Sequence, residues 1–135
     1  MSSTVLVDTS AWVEFLRATG SKHDLALGRA LQSEDGVLMP AVVLQELLQG
    51  ARSPQHYLAL QSALETVDLF EPQDWGHLHA QAGLLYARCR WQGLTVLNPI
   101  DCVVAACALE AELPLLARDA DFVHLIRVAP QLQLM

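Results

Sequence analysis

The feature that most constrains the fold is a repeated change of hydrophobic period. Short apolar runs suited to strands ("VLV" from residue 5, "GVLM" from 36, "TVDLF" from 66, "PLL" from 114) alternate with longer stretches patterned for helices. Such alternation argues for an α/β fold, a parallel sheet covered by helices on both faces. The first unit, "VLVDTSAW" at residues 5–12, shows the pattern most compactly. Val5, Leu6 and Val7 read as a buried strand; Thr9 or Ser10, followed by Trp12, Phe15 and Leu16, reads as a capped amphipathic helix. Asp8 therefore stands at the strand's carboxyl end, the edge of an open α/β sheet where ligands bind. On the octapeptide alone it could equally open a turn or cap the helix.

The remaining elements follow the same signals. Residues near 22–34 and 40–50 read as helices, the second with Pro40 in its first turn, and 54–66 as another. A long helix runs from about Asp74 to Gln92 and is closed by Gly93. In "NPIDCVVAACALEAE" Asn98 reads as cap and Pro99 as the first helical residue, which puts Asp101 third. "LPLLARDADF" reads as a short strand entering a turn, and "APQLQLM" as either a last edge strand or part of an interface.

With 135 residues and 53% hydrophobic content, the chain suits one core, and residues 1–135 are expected to form a single domain. No apolar run approaches the roughly 20 residues that span a bilayer, and the N-terminus has no signal-like pattern. That predicts a cytoplasmic protein without membrane contact. Three cysteines, Cys89, Cys102 and Cys107, lack C-x-x-C spacing and read as small buried side chains rather than a disulfide framework or zinc site. The net charge is −7, from 15 acids against 8 bases, of which Lys22 is the one lysine. Proteins that grip nucleic acid by its phosphates usually present a basic surface. Either nucleic acid is irrelevant here, or bound divalent cations supply the positive charge.

Most acids need no special account. Asp24, Glu34, Asp35, Glu65 and Glu71 fall at helix ends or in loops, where a solvated charge is expected. Asp101 does not: it opens a helix that continues Cys102, Val103, Val104, Ala105, Ala106, Cys107, apolar nearly all round and so buried. A charge at the mouth of a buried helix requires a partner or a cation; the alternative role, complementing the helix dipole, would not need a buried helix. Asp119 ends the last strand as Asp8 ends the first, so both point at one sheet edge. Asp121 could join that cluster, but capping the turn before Phe122 is the favoured reading. Glu46 lies on the polar flank of its helix, away from Val43, Leu44, Leu47 and Leu48, and periodicity alone reads it as solvated.

Taken together, "VLVDTSAW", "LQELLQG", "DCVVAACALE" and "LPLLARDADF" resemble, in order and spacing, the PIN-domain family and within it the VapC-type toxins of bacterial toxin–antitoxin pairs. The resemblance spans essentially the whole chain. It implies a three-layer α/β/α PIN-like domain with a short parallel sheet, a metal-dependent ribonuclease site, a homodimer, and a cognate antitoxin whose tail occupies the groove near the acids. Asp8, Glu46, Asp101 and Asp119 fall on the family's acidic quartet, which moves Glu46 from the solvated reading into the site, and Ser10 matches its small polar helper. One position departs: two residues before Asp119 the family often has Thr or Ser, and here stands Ala117.

The chemistry suits these residues. Hydrolysis of a phosphodiester needs an activated water and neutralised phosphoryl charge, which Mg²⁺ or Mn²⁺ provides. Hard cations take oxygen ligands, whereas clustered carboxylates without metal repel until one takes up a proton. Asp8 and Asp101 are expected as principal ligands, Glu46 as ligand or water orienter, Asp119 as a more distant or second-metal residue. The five histidines lie on other segments, which favours metal-activated water over a His mechanism. Rival readings are an aspartyl-phosphate enzyme, disfavoured because Ser10 stands where a haloacid-dehalogenase-like site has a second Asp, and a catalytically weak PIN-like RNA- or protein-binding module.

Overall fold

The computed structural model describes residues 4–34 and 36–135; Asp35, expected in a loop, lies outside them. In chain order the elements are β1 (Val5–Val7), α1 (Thr9–Leu16), α2 (Lys22–Gln32), β2 (Val37–Pro40), α3 (Ala41–Gln49), α4 (Pro54–Leu64), β3 (Asp68–Phe70), α5 (Trp75–Trp91), α6 (Ile100–Ala111), β4 (Leu115–Leu116) and α7 (Asp121–Val128). The four strands make one all-parallel sheet ordered β3-β2-β1-β4. Helices cover it in a three-layer α/β/α arrangement, with α1 packed on α2 and α3, and α6 packed on α5 and α7. Because both faces of the sheet are covered, all three residues of β1 are buried rather than alternating.

The order of the strands decides where a ligand can enter. From β1 the chain steps to β2 and then β3 on one side, whereas β4 joins the other flank of β1. The crevice beyond the carboxyl ends of β1 and β4 is thus the topological switch point of the sheet. Asp8 leaves β1 there, its N–H donating to the Leu116 carbonyl of β4 at 2.9 Å.

Sequence signals explain most boundaries. Ser21, Ser53 and Asp74 cap α2, α4 and α5, each accepting from the N–H three residues on. Gly93, at φ +75°, turns the chain out of α5 in a conformation that disfavours other residues. On α6 the small side chains Cys102, Ala105, Ala106, Cys107 and Ala108 are buried and let the helix seat deeply. Cys89, Cys102 and Cys107 are all free and buried.

Three local expectations change, and one open reading is settled. The cap of α1 is Asp8, not Thr9 or Ser10, its carboxylate accepting from the Ser10 N–H. Helix α6 begins at Ile100, so Asp101 is its second residue, although the Asn98 side chain still accepts from the Ile100 N–H at 3.1 Å. The segment after Asp119 is not merely a turn: α7 follows, and its buried face is Asp121, Phe122 and Leu125. The chain end pairs at the sheet edge through one parallel bridge, Leu115 to Leu134. Among the described residues, no helix is long and apolar enough to cross a membrane.

Candidate metal-binding and catalytic site

Asp8 combines the two roles that its sequence context left open. It caps α1 and it is buried, 2% exposed, at the switch point. Its Oδ2 accepts from the Ser10 N–H at 3.0 Å and from the Ser10 hydroxyl at 2.6 Å. Its Oδ1 is buried and has no hydrogen-bond partner. Burial raises the pKa of Asp8, the Ser10 hydroxyl and N–H oppose that, and the nearby Glu46 charge raises it further.

Asp101 enters from α6 and is 3% exposed, also with one orphaned oxygen, Oδ2. Burial first, then the Asp8 charge, then a hydrogen bond with Asp121, push its pKa up to about 9. Asp121 goes the other way. Burial would raise it, but the N–H groups of Leu97 and Asn98, at 3.0 and 2.9 Å, together with the hydrogen bond from Asp101 and the His124 charge, outweigh burial and hold it below the ordinary carboxylate value. Without a cation, the proton shared by this pair therefore rests on Asp101.

Asp121 consequently does more than cap a turn. Its backbone N–H donates to Asp119 Oδ1 at 2.9 Å, and Asp101, Asp119 and Asp121 each offer an oxygen such that all three atoms lie within 4.8 Å of one another. Asp8 is outside that triplet and couples to Asp101 through its charge.

Glu46 is half-buried rather than solvated, because residues distant in sequence reach it. Thr9 Oγ1 donates to its Oε1 at 2.7 Å, and Asn98 Nδ2 approaches its Oε2 at 3.5 Å. Sequence reasoning read Thr9 and Asn98 only as helix caps; the adjacency of Thr9 to Asp8 was the available signal for its contact with the site. Ser10 ties the two strand ends together, since its hydroxyl donates to Asp8 and accepts from the Arg118 N–H at 2.8 Å. The tie comes from the β1 side and not from position 117, where Ala117 is buried.

Do these residues fit a divalent cation? A buried acceptor without a donor costs roughly 1–3 kcal/mol, more if charged, and this edge holds two, Asp8 Oδ1 and Asp101 Oδ2, beside further carboxylates. An oxygen-seeking cation among these carboxylates would offset the repulsion that protonates Asp101 and could take an orphaned oxygen as a ligand. The donor set is all oxygen, as Mg²⁺ or Mn²⁺ requires.

Comparison with known proteins agrees with this architecture. The PIN domain family matches residues 5–128. The chain belongs to the PIN-domain family. Among relatives, the VapC ribonuclease Mb1587 of Mycobacterium bovis and ribonuclease VapC11 of Mycobacterium tuberculosis are each 34% identical over 125 residues, covering 92% of this chain and 92% of theirs. Solved structures share the PIN fold at lower identity. The DNA-bound VapBC of Salmonella typhimurium aligns with TM-score 0.72 at 20% identity, covering 100% of this chain and 98% of that one. FitAcB of Neisseria gonorrhoeae aligns with TM-score 0.71 at 19% identity, covering 97% and 96%.

Proposed function

We propose that this PIN-domain chain, folded as one domain over residues 1–135, is a metal-dependent endoribonuclease, the toxin of a VapBC-type pair. The observation that carries the reading is the pair of orphaned, buried oxygens, Asp8 Oδ1 and Asp101 Oδ2, at the switch point of the sheet. Relatives at 34% identity that are named VapC ribonucleases support the same activity.

Asp8 and Asp101 would hold the cation, with Asp119 and Asp121 completing the oxygen set and Glu46 orienting water. When bound, Mg²⁺ or Mn²⁺ lowers the pKa of a water and neutralises charge building on the phosphoryl oxygens. The protein residues supply the rest. Ser10 fixes the Asp8 carboxylate through Oδ2 and leaves Oδ1 without a protein donor. The Leu97 and Asn98 N–H groups keep Asp121 anionic. Thr9, holding Glu46 by one oxygen, leaves the other oxygen to its long contact with Asn98 and free to accept from water.

The expected partners belong to the same reading: an RNA substrate, a second copy of the chain, and a cognate antitoxin in the cytoplasm. Neighbouring folds were solved as VapBC complexes, two of them with DNA.

The test is cleavage of a mixed RNA pool by purified, antitoxin-free protein with Mg²⁺, Mn²⁺ or EDTA, beside Asp8→Asn and Asp101→Asn. Cutting that needs metal and both carboxylates is the expected result. Folded wild type and variants that behave alike, with no metal-dependent products, would refute it and leave the binding-module reading.

A further inference from the structure

The acidic edge poses a problem that the nuclease reading, on which this inference rests, leaves open: what grips an anionic RNA strand on a chain of net charge −7? A cation held by Asp8 and Asp101 would neutralise the scissile phosphate, but neighbouring phosphates need donors of their own.

Among the described residues, Arg118 is the one base of the chain's 8 whose hydrogen bonds reach this edge. Its N–H donates to Ser10 Oγ at 2.8 Å, that hydroxyl donates to Asp8 at 2.6 Å, and the next residue is Asp119. Its backbone is thereby pinned between two candidate ligands. Its side chain, 57% exposed, forms an ion pair from Nη1 to Glu14 of α1. A guanidinium has five N–H donors in a planar fork, so this contact leaves several for another acceptor.

Glu14 is built to hold a cation in place. It is 9% exposed, an unusual site for an acid on a short helix, and it also accepts from the Thr19 hydroxyl at 3.0 Å. The Ser21 hydroxyl, foremost, and those Thr19 and Arg118 contacts keep its pKa below the ordinary value. Surface ion pairs exchange readily because each is worth little, whereas an arginine fork on a phosphate is bidentate and specific.

We propose that Arg118 is a phosphate-binding residue for RNA, held by Glu14 beside the acid edge so that its free donors meet a phosphate next to the scissile one. The competing view makes the Glu14–Arg118 pair a structural tie between α1 and the loop after β4. The two differ in how binding responds to salt, because each phosphate contact on single-stranded RNA contributes about −0.7 to the slope of log affinity against log salt.

The experiment uses a fluorescein-labelled mixed-sequence single-stranded RNA and the Asp101→Asn full chain, chosen because the nuclease reading expects it not to cut. Anisotropy titrations in Mg²⁺ at several KCl concentrations compare this parent with chains that also carry Arg118→Ala, Arg118→Lys or Glu14→Gln. Arg118→Ala should weaken binding about tenfold at low salt, make the negative slope shallower by about 0.7, and do so for every RNA sequence. Arg118→Lys should keep the slope, and Glu14→Gln, which loosens the guanidinium but keeps its charge, should keep the slope while binding more weakly than the parent and more tightly than Arg118→Ala. Thermal melting of each variant reports on folding. An unchanged slope in Arg118→Ala, with equal melting losses for Arg118→Ala and Glu14→Gln, overturns the proposal while RNA cleavage by the wild type still stands. A parent that binds no RNA, beside a wild type that cuts none, overturns the proposal and the nuclease reading together.

Discussion

Replacing Asp101 by Asn isolates the consequence of burying that carboxylate. In the metal-free protein, burial and the Asp8 charge push Asp101 up to about 9 from an ordinary value of 3.8. Between those values the unfolded chain has released its proton and the folded chain keeps it. Stability from this group is therefore full below pH 3.8 and is lost as pH rises towards about 9. The loss runs at about 1.4 kcal/mol per pH unit, so from about pH 5.5 to about pH 8 the wild type should lose roughly 3 kcal/mol relative to Asp101→Asn. Asn suits the comparison because its amide can donate to Asp121 as the protonated acid does. Glu14 and Asp121, held below their ordinary values, do not interfere: their contribution disappears only on acidification below that window. Urea unfolding in EDTA across the pH range reads the effect. With m near 1–3 kcal/mol per molar urea, the gap between the two midpoints should change by about 1–3 M. Millimolar Mg²⁺ should flatten the wild-type dependence by favouring the carboxylate, and should do much less for the variant. Wild-type and variant curves that stay parallel in EDTA would refute the argument that Asp101 is buried, coupled to Asp8 and proton-bearing.

Three further outcomes follow from the same geometry. Ser10→Ala removes the hydroxyl that joins Asp8 to the Arg118 N–H; stability should fall by about 1–2 kcal/mol in urea unfolding, and cleavage should slow about tenfold in single-turnover assays. Thr9→Val keeps shape but releases Glu46, so kcat should fall about tenfold, as for a lost positioning contact, with KM for RNA little changed. Leu6→Ala, in a strand residue with no exposed surface, should cost about 2–5 kcal/mol by circular-dichroism melting, and a smaller loss would mean that the sheet centre can collapse around the gap.

Much of this protein was readable one element at a time. The apolar runs at 5–7 and 37–39, the start of α5 at Asp74 and its closure by Gly93 are local signals, and local backbone preference is enough to express them. Asp8 and Asp101 stood out for the same reason, since each sets a charge against an apolar neighbourhood written in its own segment. Helix α7 escaped notice because its eight residues bury little more than Phe122 and Leu125 among apolar side chains, too short a period to separate from a strand or turn.

What depended on tertiary structure was every interaction between segments. Periodicity assigned Glu46 to solvent because a helical wheel knows only its own helix. Thr9, 37 positions earlier, and Asn98, 52 positions later, are what draw it to the site. Asp121 likewise became a low-pKa member of the cluster only when the Leu97 and Asn98 N–H groups folded onto it. Sequence by itself determined the alternation of strand and helix, and the misplaced charges at their ends, because those follow from short-range sterics and burial. The strand order β3-β2-β1-β4 decided the rest, bringing the ends of β1 and β4 together so that carboxylates more than a hundred residues apart share one edge, where burial and charge repulsion push the pKa of Asp101 up.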